Sequence, residues 1–233
     1  MTESLYGGYE GKKILIACSM IEDEINAVFD SCDTGDIEIW WQERGHHNDP
    51  DKLREVIRGE ISRAEDAGAD IIMIAYGLCG NGAVGWRSDR AVIAMPRFDD
   101  CVNMMLCTGK RDRRNYLSAG HMYLTRGWSR EEGGLLSMAE FYVDRYGERK
   151  GRKLMKRMLE SYTDVTVIDT GCYEMDPVME YADECAGIME LAKSVVPGSN
   201  QIMRKLITGE WDEDIIVKTP GDAVLEEDFE FEP

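Results

Sequence analysis

Positive charge is what this sequence has least of for its size. Against 45 Asp and Glu, its 233 residues carry only 27 Lys and Arg, a formal charge of −18. A duplex nucleic-acid binder needs a basic footprint to displace counterions, and an anionic membrane surface selects the same charge, so we expect neither partner. Long uncharged apolar runs are missing too, and none approaches the roughly 18 residues of a membrane span. The N-terminus, MTESLYGGYEGKK, lacks the basic stretch and apolar core of a signal peptide. The seven cysteines include no CxxC pair and no ferredoxin spacing, which excludes a zinc ribbon and a thioredoxin motif. Their odd number is poor material for a disulfide framework. What remains is 43% hydrophobic, enough to bury a core. We expect a cytoplasmic protein with a single α/β domain over residues 1–233, closed by an acidic, loose tail at 225–233.

Hydrophobic patterning gives the order of elements. Strands are expected at Lys12–Ala17, Ile37–Trp41, Asp70–Tyr76, Ala91–Met95, Val165–Asp169 and Ile215–Val217. Helices are expected at Ile21–Phe29, Leu53–Ala67 behind Pro50, Cys101–Leu106, Leu136–Tyr162 (one helix, or two broken at Gly147 or Gly151), Pro177–Val195 and Asn200–Thr208. The stretch from Thr108 to Gly134 reads as loop. Alternating strands and helices imply a mostly parallel, doubly wound sheet with helices on both faces and a helix-rich C-terminal half.

The cysteines gain meaning on this map. Cys18 follows KKILIA, Cys79 follows DIIMIAYGL, Cys172 follows VTVIDTG, and Cys101 lies just beyond AVIAMPR. All four sit past the carboxyl ends of expected strands, the edge where ligands bind in open α/β sheets. Each alone reads as a small packing residue. Together, near Asp99, Asp100 and Glu174, they read as a shared metal site for zinc, copper(I) or an iron–sulfur cluster. Four thiolates make a structural zinc site; three with an open position make a catalytic metal. Cys32, Cys107 and Cys185 look like ordinary helix or loop residues.

Other polar candidates are few. His46 and His47 follow the second strand at the same edge, and His47, held by the Pro50 helix, is the better acid–base candidate. His121 reads as structural. The loop Tyr76-Gly77-Leu78-Cys79-Gly80-Asn81-Gly82 has neither a Walker lysine nor a ribose-binding acid, so Gly77 and Gly80 read as turning the backbone around Cys79 and offering amide hydrogens to a ligand. One basic island, Lys110, Arg111, Arg113, Arg114, Arg126 and Arg130 with Tyr116, Tyr123 and Trp128, can grip an anion or pair with the protein's own acids.

Five segments in order, Ile16-Ala17-Cys18, His47-Asn48-Asp49-Pro50 with Leu53, Tyr76-Gly77-Leu78-Cys79-Gly80, Pro96-Arg97 with Asp100-Cys101, and Tyr123-Leu124-Thr125, resemble the bacterial and archaeal family called domain of unknown function 1638. The resemblance is strongest from Lys12 to Thr125. It is looser at Gly171-Cys172-Tyr173 and Gly209-Glu210-Trp211, and Ser19 stands where members often have glycine. It implies a site built from Cys18, Cys79 and Cys101 with His47 near it, and an accessory role in corrinoid-dependent methyl transfer in anaerobes.

The leading expectation is therefore a metal-dependent protein, with a [4Fe–4S] cluster on Cys18, Cys79 and Cys101 and Cys172 as fourth ligand or nearby thiol. In it His47 moves a proton, Arg97 fixes a substrate carboxylate, and Gly77, Gly80, Asp100 and Tyr123 are candidate cofactor contacts. Three thiolates leave one iron open as a Lewis acid toward a small-molecule substrate. Two alternatives stay open. One is a zinc-thiolate, methyltransferase-like enzyme; the other is a non-enzymatic accessory that binds a corrinoid or a corrinoid protein. Aromatic and Met-rich helix faces suit a homodimer.

Overall fold

The computed structural model describes residues 11–46, 49–109, 120–130 and 134–230. In chain order its elements are β1 (Lys13–Cys18), α1 (Glu22–Ser31), β2 (Ile37–Gln42), α2 (Pro50–Asp66), β3 (Ile71–Ala75), β4 (Val92–Pro96), α3 (Cys101–Leu106), β5 (His121–Leu124), α4 (Arg126–Ser129), α5 (Leu135–Tyr146), α6 (Glu148–Met158), β6 (Asp164–Asp169), α7 (Met175–Met189), β7 (Ala192–Pro197), α8 (Gln201–Thr208) and β8 (Ile215–Lys218). They divide between two compact units. The first runs to residue 104 and resumes at 200; the second holds residues 105–199.

The first unit is built on a five-stranded sheet of order β2-β1-β3-β4-β8, parallel except for β8 against β4. KILIAC, IIMIA and VIAMP are buried almost throughout, as strands covered on both faces must be. The chain leaves β1 for β2 on one side and returns past β1 to β3 on the other. Right-handed crossovers in opposite directions put α1 and α2 on opposite faces. α2 begins where Asp49 accepts the Lys52 N–H (3.1 Å) and Pro50 takes the first helical position. It buries Leu53, Ile57, Ile61 and Ala64 at helical spacing. α8, which buries Ile202, Met203, Leu206 and Ile207, packs on α1, β3 and β4.

The second unit holds an all-parallel sheet of order β5-β6-β7. Its core joins Leu124, Val165 and Val167 to Val178, Ala182, Cys185 and Met189 of α7. A polar network ties its three strands together. His121 Nδ1 lies 2.8 Å from Asp164 Oδ1 and 3.1 Å from Thr166 Oγ1, and Asp164 also accepts from Ser194 (3.0 Å), Thr163 (3.0 Å) and Thr166.

Three expectations change here. The presumed loop from Thr108 to Gly134 contains β5 and α4, too short to leave a periodic pattern. The helix expected to run from Pro177 to Val195 stops at Met189, where Glu190 turns left-handed (φ 55°), and Ala192–Pro197 pairs with β6 instead. Hydrogen bonding along β6 outweighs the weak helical preference of that segment. The tail is not loose through residue 230. Glu226–Phe229 forms a 3-10 turn, Phe229 is buried, and Asp228 pairs with Lys218 at 2.7 Å. The long helix is two, α5 and α6, broken at Gly147 (φ 77°). Gly151 serves their crossing, since a Cβ there would stand 2.6 Å from the Tyr142 carbonyl.

Burial works to raise the Asp164 pKa, but the bonds from Thr166, His121, Thr163 and Ser194 outweigh it and hold the carboxyl at about 2. Its stabilising contribution is therefore complete above the unfolded value near 3.9 and is lost as pH falls toward about 2. Asp164→Asn is expected to cost about 1–3 kcal/mol at neutral pH. In thermal melts of both proteins the gap should close between pH 4 and pH 2; a gap that persists unchanged at pH 2 refutes this account.

Candidate functional site

β1 and β3 lie side by side, but the chain leaves them in opposite directions, so their carboxyl ends flank the topological switch point of the first sheet. Cys18 is the last residue of β1, Cys79 lies in the loop after β3, and Cys101 opens α3 after β4. Strand ends at this point bring three cysteines that are distant in sequence to one edge.

Direct backbone contact joins the second and third of these loops. Leu78 N–H donates to the Phe98 carbonyl (2.8 Å) and Cys79 N–H to the Asp99 carbonyl (2.7 Å). At Gly77 the approach leaves no room for a side chain, since a Cβ would meet Phe98 O at 2.6 Å and Asp100 N at 2.8 Å. The chain then turns through three consecutive left-handed residues, Cys79 (φ 47°), Gly80 (φ 63°) and Asn81 (φ 70°). For Cys79 that conformation costs roughly 1–2 kcal/mol. Arg54 of α2 holds the turn from behind, donating to Asn81 O (2.7 Å) and Val84 O (3.0 Å). In the third loop Asp100 Oδ1 accepts the Asn103 N–H (2.8 Å) and caps α3 at Cys101.

The thiols share one electrostatic environment. Burial pushes the Cys79 thiol up to about 12; a Gly77 backbone hydrogen bond pulls the other way, and Asp100 and Cys18 add to the rise. Burial also raises Cys101 far above the usual thiol range, helped by Cys79, Asp100, Cys18 and Glu24. The Cys18 sulfur accepts the Met20 N–H at 3.5 Å. Tyr76, 3% exposed, is pushed up by burial, then by the charge of Cys18 and a side-chain hydrogen bond with it, and by Cys79 and Cys101. That hydroxyl is buried, and the side chain beside it is the Cys18 thiol, a weak acceptor. Edge-on contact with the buried Trp86 ring (centroids 6.2 Å apart, planes at 82°) fixes its direction.

Among the described residues no three His, Cys, Asp or Glu side chains are grouped as ligands of a single metal ion. The three thiols are electrostatic neighbours without forming such a closed set. Cys172 belongs to the second unit, beyond the carboxyl end of β6, with its thiol directed at Thr170 O (3.5 Å). Tyr123 is also in that unit, on β5, its ring 5.8 Å from His121. Arg97 follows β4 and donates its backbone N–H to Asp214 O (2.8 Å). His47 lies outside the described residues, as do Lys110, Arg111, Arg113, Arg114 and Tyr116 of the basic island. Gly80 backs onto α2, where a Cβ would stand 3.1 Å from Pro50. None of the seven cysteines is in a disulfide.

Two residues at the thiol edge escaped the sequence reading. Glu24 is 1% exposed, and its charge reaches Cys101. It occupies the apolar stripe of α1, three residues after Ile21 and four before Val28, so a carboxylate on a buried face was the available signal. Tyr76 closes the apolar run of β3, where its phenol passed for core.

Substituting Gly77→Ala is expected to force the Cys79 and Cys101 loops apart and to destabilise the chain by about 1–3 kcal/mol, read by urea denaturation. The raised Cys79 pKa has its own sign. An unfolded thiol ionises near 8.5, so between that pH and about 12 unfolding releases a proton, and stability falls as pH rises. The chain should therefore lose thermal stability from pH 8 to pH 11 more steeply than Cys79→Ala; parallel curves contradict the burial of that thiol.

No curated protein and no solved structure matches the chain. A family model does, over residues 41–207, a stretch that includes Cys79, Cys101 and Cys172 and begins after Cys18. The chain belongs to the family described as protein of unknown function DUF1638.

Proposed function

We propose that Cys18, Cys79 and Cys101 form a three-thiolate metal centre at the switch point of the first sheet, and that its resident group is a [4Fe–4S] cluster. The observation that carries this reading is the convergence of three free thiols from three separate strand ends on one buried edge. Backbone N–H groups already serve two of the sulfurs, Met20 that of Cys18 and Gly77 that of Cys79. Such bonds favour thiolate over thiol and support ligation. A single zinc ion with bonds near 2.3 Å draws tetrahedral sulfurs to about 3.8 Å of one another. A cluster spreads its thiolates over several metal atoms, so its ligands need not close around one point.

Cys18, Cys79 and Cys101 would hold the cluster, which would supply Lewis-acid chemistry toward a substrate heteroatom. The chain's own groups supply the rest. Gly77 and the Arg54-braced turn fix the Cys79 sulfur, and the Asp100 cap fixes Cys101. The family resemblance supplies the setting, corrinoid-linked methyl metabolism in a reducing cytoplasm, with a small molecule or a corrinoid protein as partner.

Protein purified without oxygen should hold about four irons per chain and absorb broadly near the blue end of the spectrum. The combined Cys18→Ala, Cys79→Ala and Cys101→Ala variant should be colourless and iron-free. About one zinc per chain, lost in the same variant, moves the assignment to a zinc-thiolate enzyme. A chain without iron or zinc after anaerobic purification refutes the metal centre and leaves a corrinoid-binding accessory.

A further inference from the structure

Charge is divided unevenly between the two units. Residues 105–199 hold 14 Lys and Arg against 15 Asp and Glu, while the rest of the chain holds 13 against 30, so the first unit carries almost all of the −18. Within the second unit α6 concentrates the cations. Arg149, Lys150, Arg152, Lys153, Lys156 and Arg157 are six of its 11 residues, and all six are exposed. Among the described residues only two of them reach acids, Arg152 with Glu148 (3.3 Å) and Lys156 with Glu190. Arg149, Lys153 and Arg157 form a stripe at four-residue spacing, opposite the buried Gly151 and Met155. Like charges at that spacing repel, and Arg149 and Lys150 in the first turn oppose the helix dipole. The stripe works against its own helix.

Apolar groups border it. Of seven large apolar residues exposed among those described, four, Phe141, Tyr146, Met158 and Tyr162, lie on or just after α5 and α6. Arg145 lies over the Phe141 and Tyr146 rings (5.8 Å from each centroid), and Lys150 over Tyr146 (5.3 Å). Tyr146, Glu148, Arg149, Lys150 and Lys153 line an open cavity of about 410 Å³ at Gly147. Apolar anchors rimmed by charge of one sign fit a partner that presents an apolar residue among acids. The first unit presents one. Leu225 is exposed, and so are Glu226, Glu227 and Glu230, which make no ion pair among the described residues. Burial of Phe229 and the Asp228 pair with Lys218 hold that turn in place, so docking it costs little ordering.

We propose that the α5–α6 surface of one copy docks the acidic turn at residues 225–230 of a second copy, with Arg149, Lys153 and Arg157 facing Glu226, Glu227 and Glu230 and Leu225 covered by Phe141 and Tyr146. Single exposed ion pairs contribute little, so the contact depends on several acting together over covered apolar surface, and it weakens as salt screens them. It is independent of what the thiol edge binds.

The test weighs the full chain in solution by sedimentation, at low salt and in ~1 M salt, where the screening length falls to about 3 Å. It adds two charge-reversed variants, one combining Arg149→Glu, Lys153→Glu and Arg157→Glu, the other Glu226→Lys, Glu227→Lys and Glu230→Lys, each checked for folding by circular dichroism. Wild type should associate at low salt and be monomeric at high salt. Each variant alone should be monomeric, and an equal mixture of the two should associate again, because reversal on both sides restores opposite signs. A wild type that is monomeric at low salt up to ~1 mM overturns the proposal. So does an assembly that ignores salt or persists in either variant, or a mixture of folded variants that stays monomeric. If a reversed variant does not fold, glutamine at the same three positions replaces it, and association undiminished by that change overturns the proposal as well.

Discussion

The chemistry available to the first unit depends on one steric constraint, the touching of two loop backbones at Gly77. The loop after β3 and the loop after β4 are sealed by two N–H···O bonds, and there is no space between them for even a methyl group. Parallel strands spaced about 4.8 Å apart would otherwise carry their following loops away in independent directions. Contact at this one residue fixes the Cys79 loop to the Cys101 loop, while β1 delivers Cys18 in register from the neighbouring strand. The glycine-rich composition of the loop is thus an architectural device, and the phosphate-cradle reading that such loops invite has no lysine to support it.

The surroundings of the thiols share a sign. Glu24 and Asp100 contribute negative charge, and the chain as a whole is at −18. Thiols in that field stay protonated, and the unliganded edge avoids a pile-up of buried anions. In the proposed centre, a bound cation would offset that charge and release the thiol protons.

What the sequence revealed and what it hid have physical reasons. β1, β3 and β4 are unbroken apolar runs, so the strand ends, and with them Cys18, Cys79 and Cys101, were readable from composition alone. The rule that ligands gather at carboxyl ends of parallel strands then placed the thiols without any geometry. β5 is four residues long, and β7 is an exposed edge strand beginning Ala-Lys-Ser, so neither carries the pattern of a buried strand; both are held by pairing to β6. Glu24 and Tyr76 were hidden for the opposite reason, because each occupies a position whose pattern says core. The placement of Cys172 after a strand was also readable, but strand order alone could not reveal that β6 belongs to a second sheet.

The left-handed turn at Cys79 sets local backbone preference against chemistry. Glycine would suit φ 47° better than cysteine, as Gly80 beside it shows, and would relieve strain that the rest of the loop now absorbs. A random search for stabilising substitutions would accordingly favour glycine at position 79, and each success would remove a sulfur from the edge. Improvement of the fold and preservation of the site are opposed at this residue, so a chain selected for heat resistance alone would be expected to discard the thiol there first.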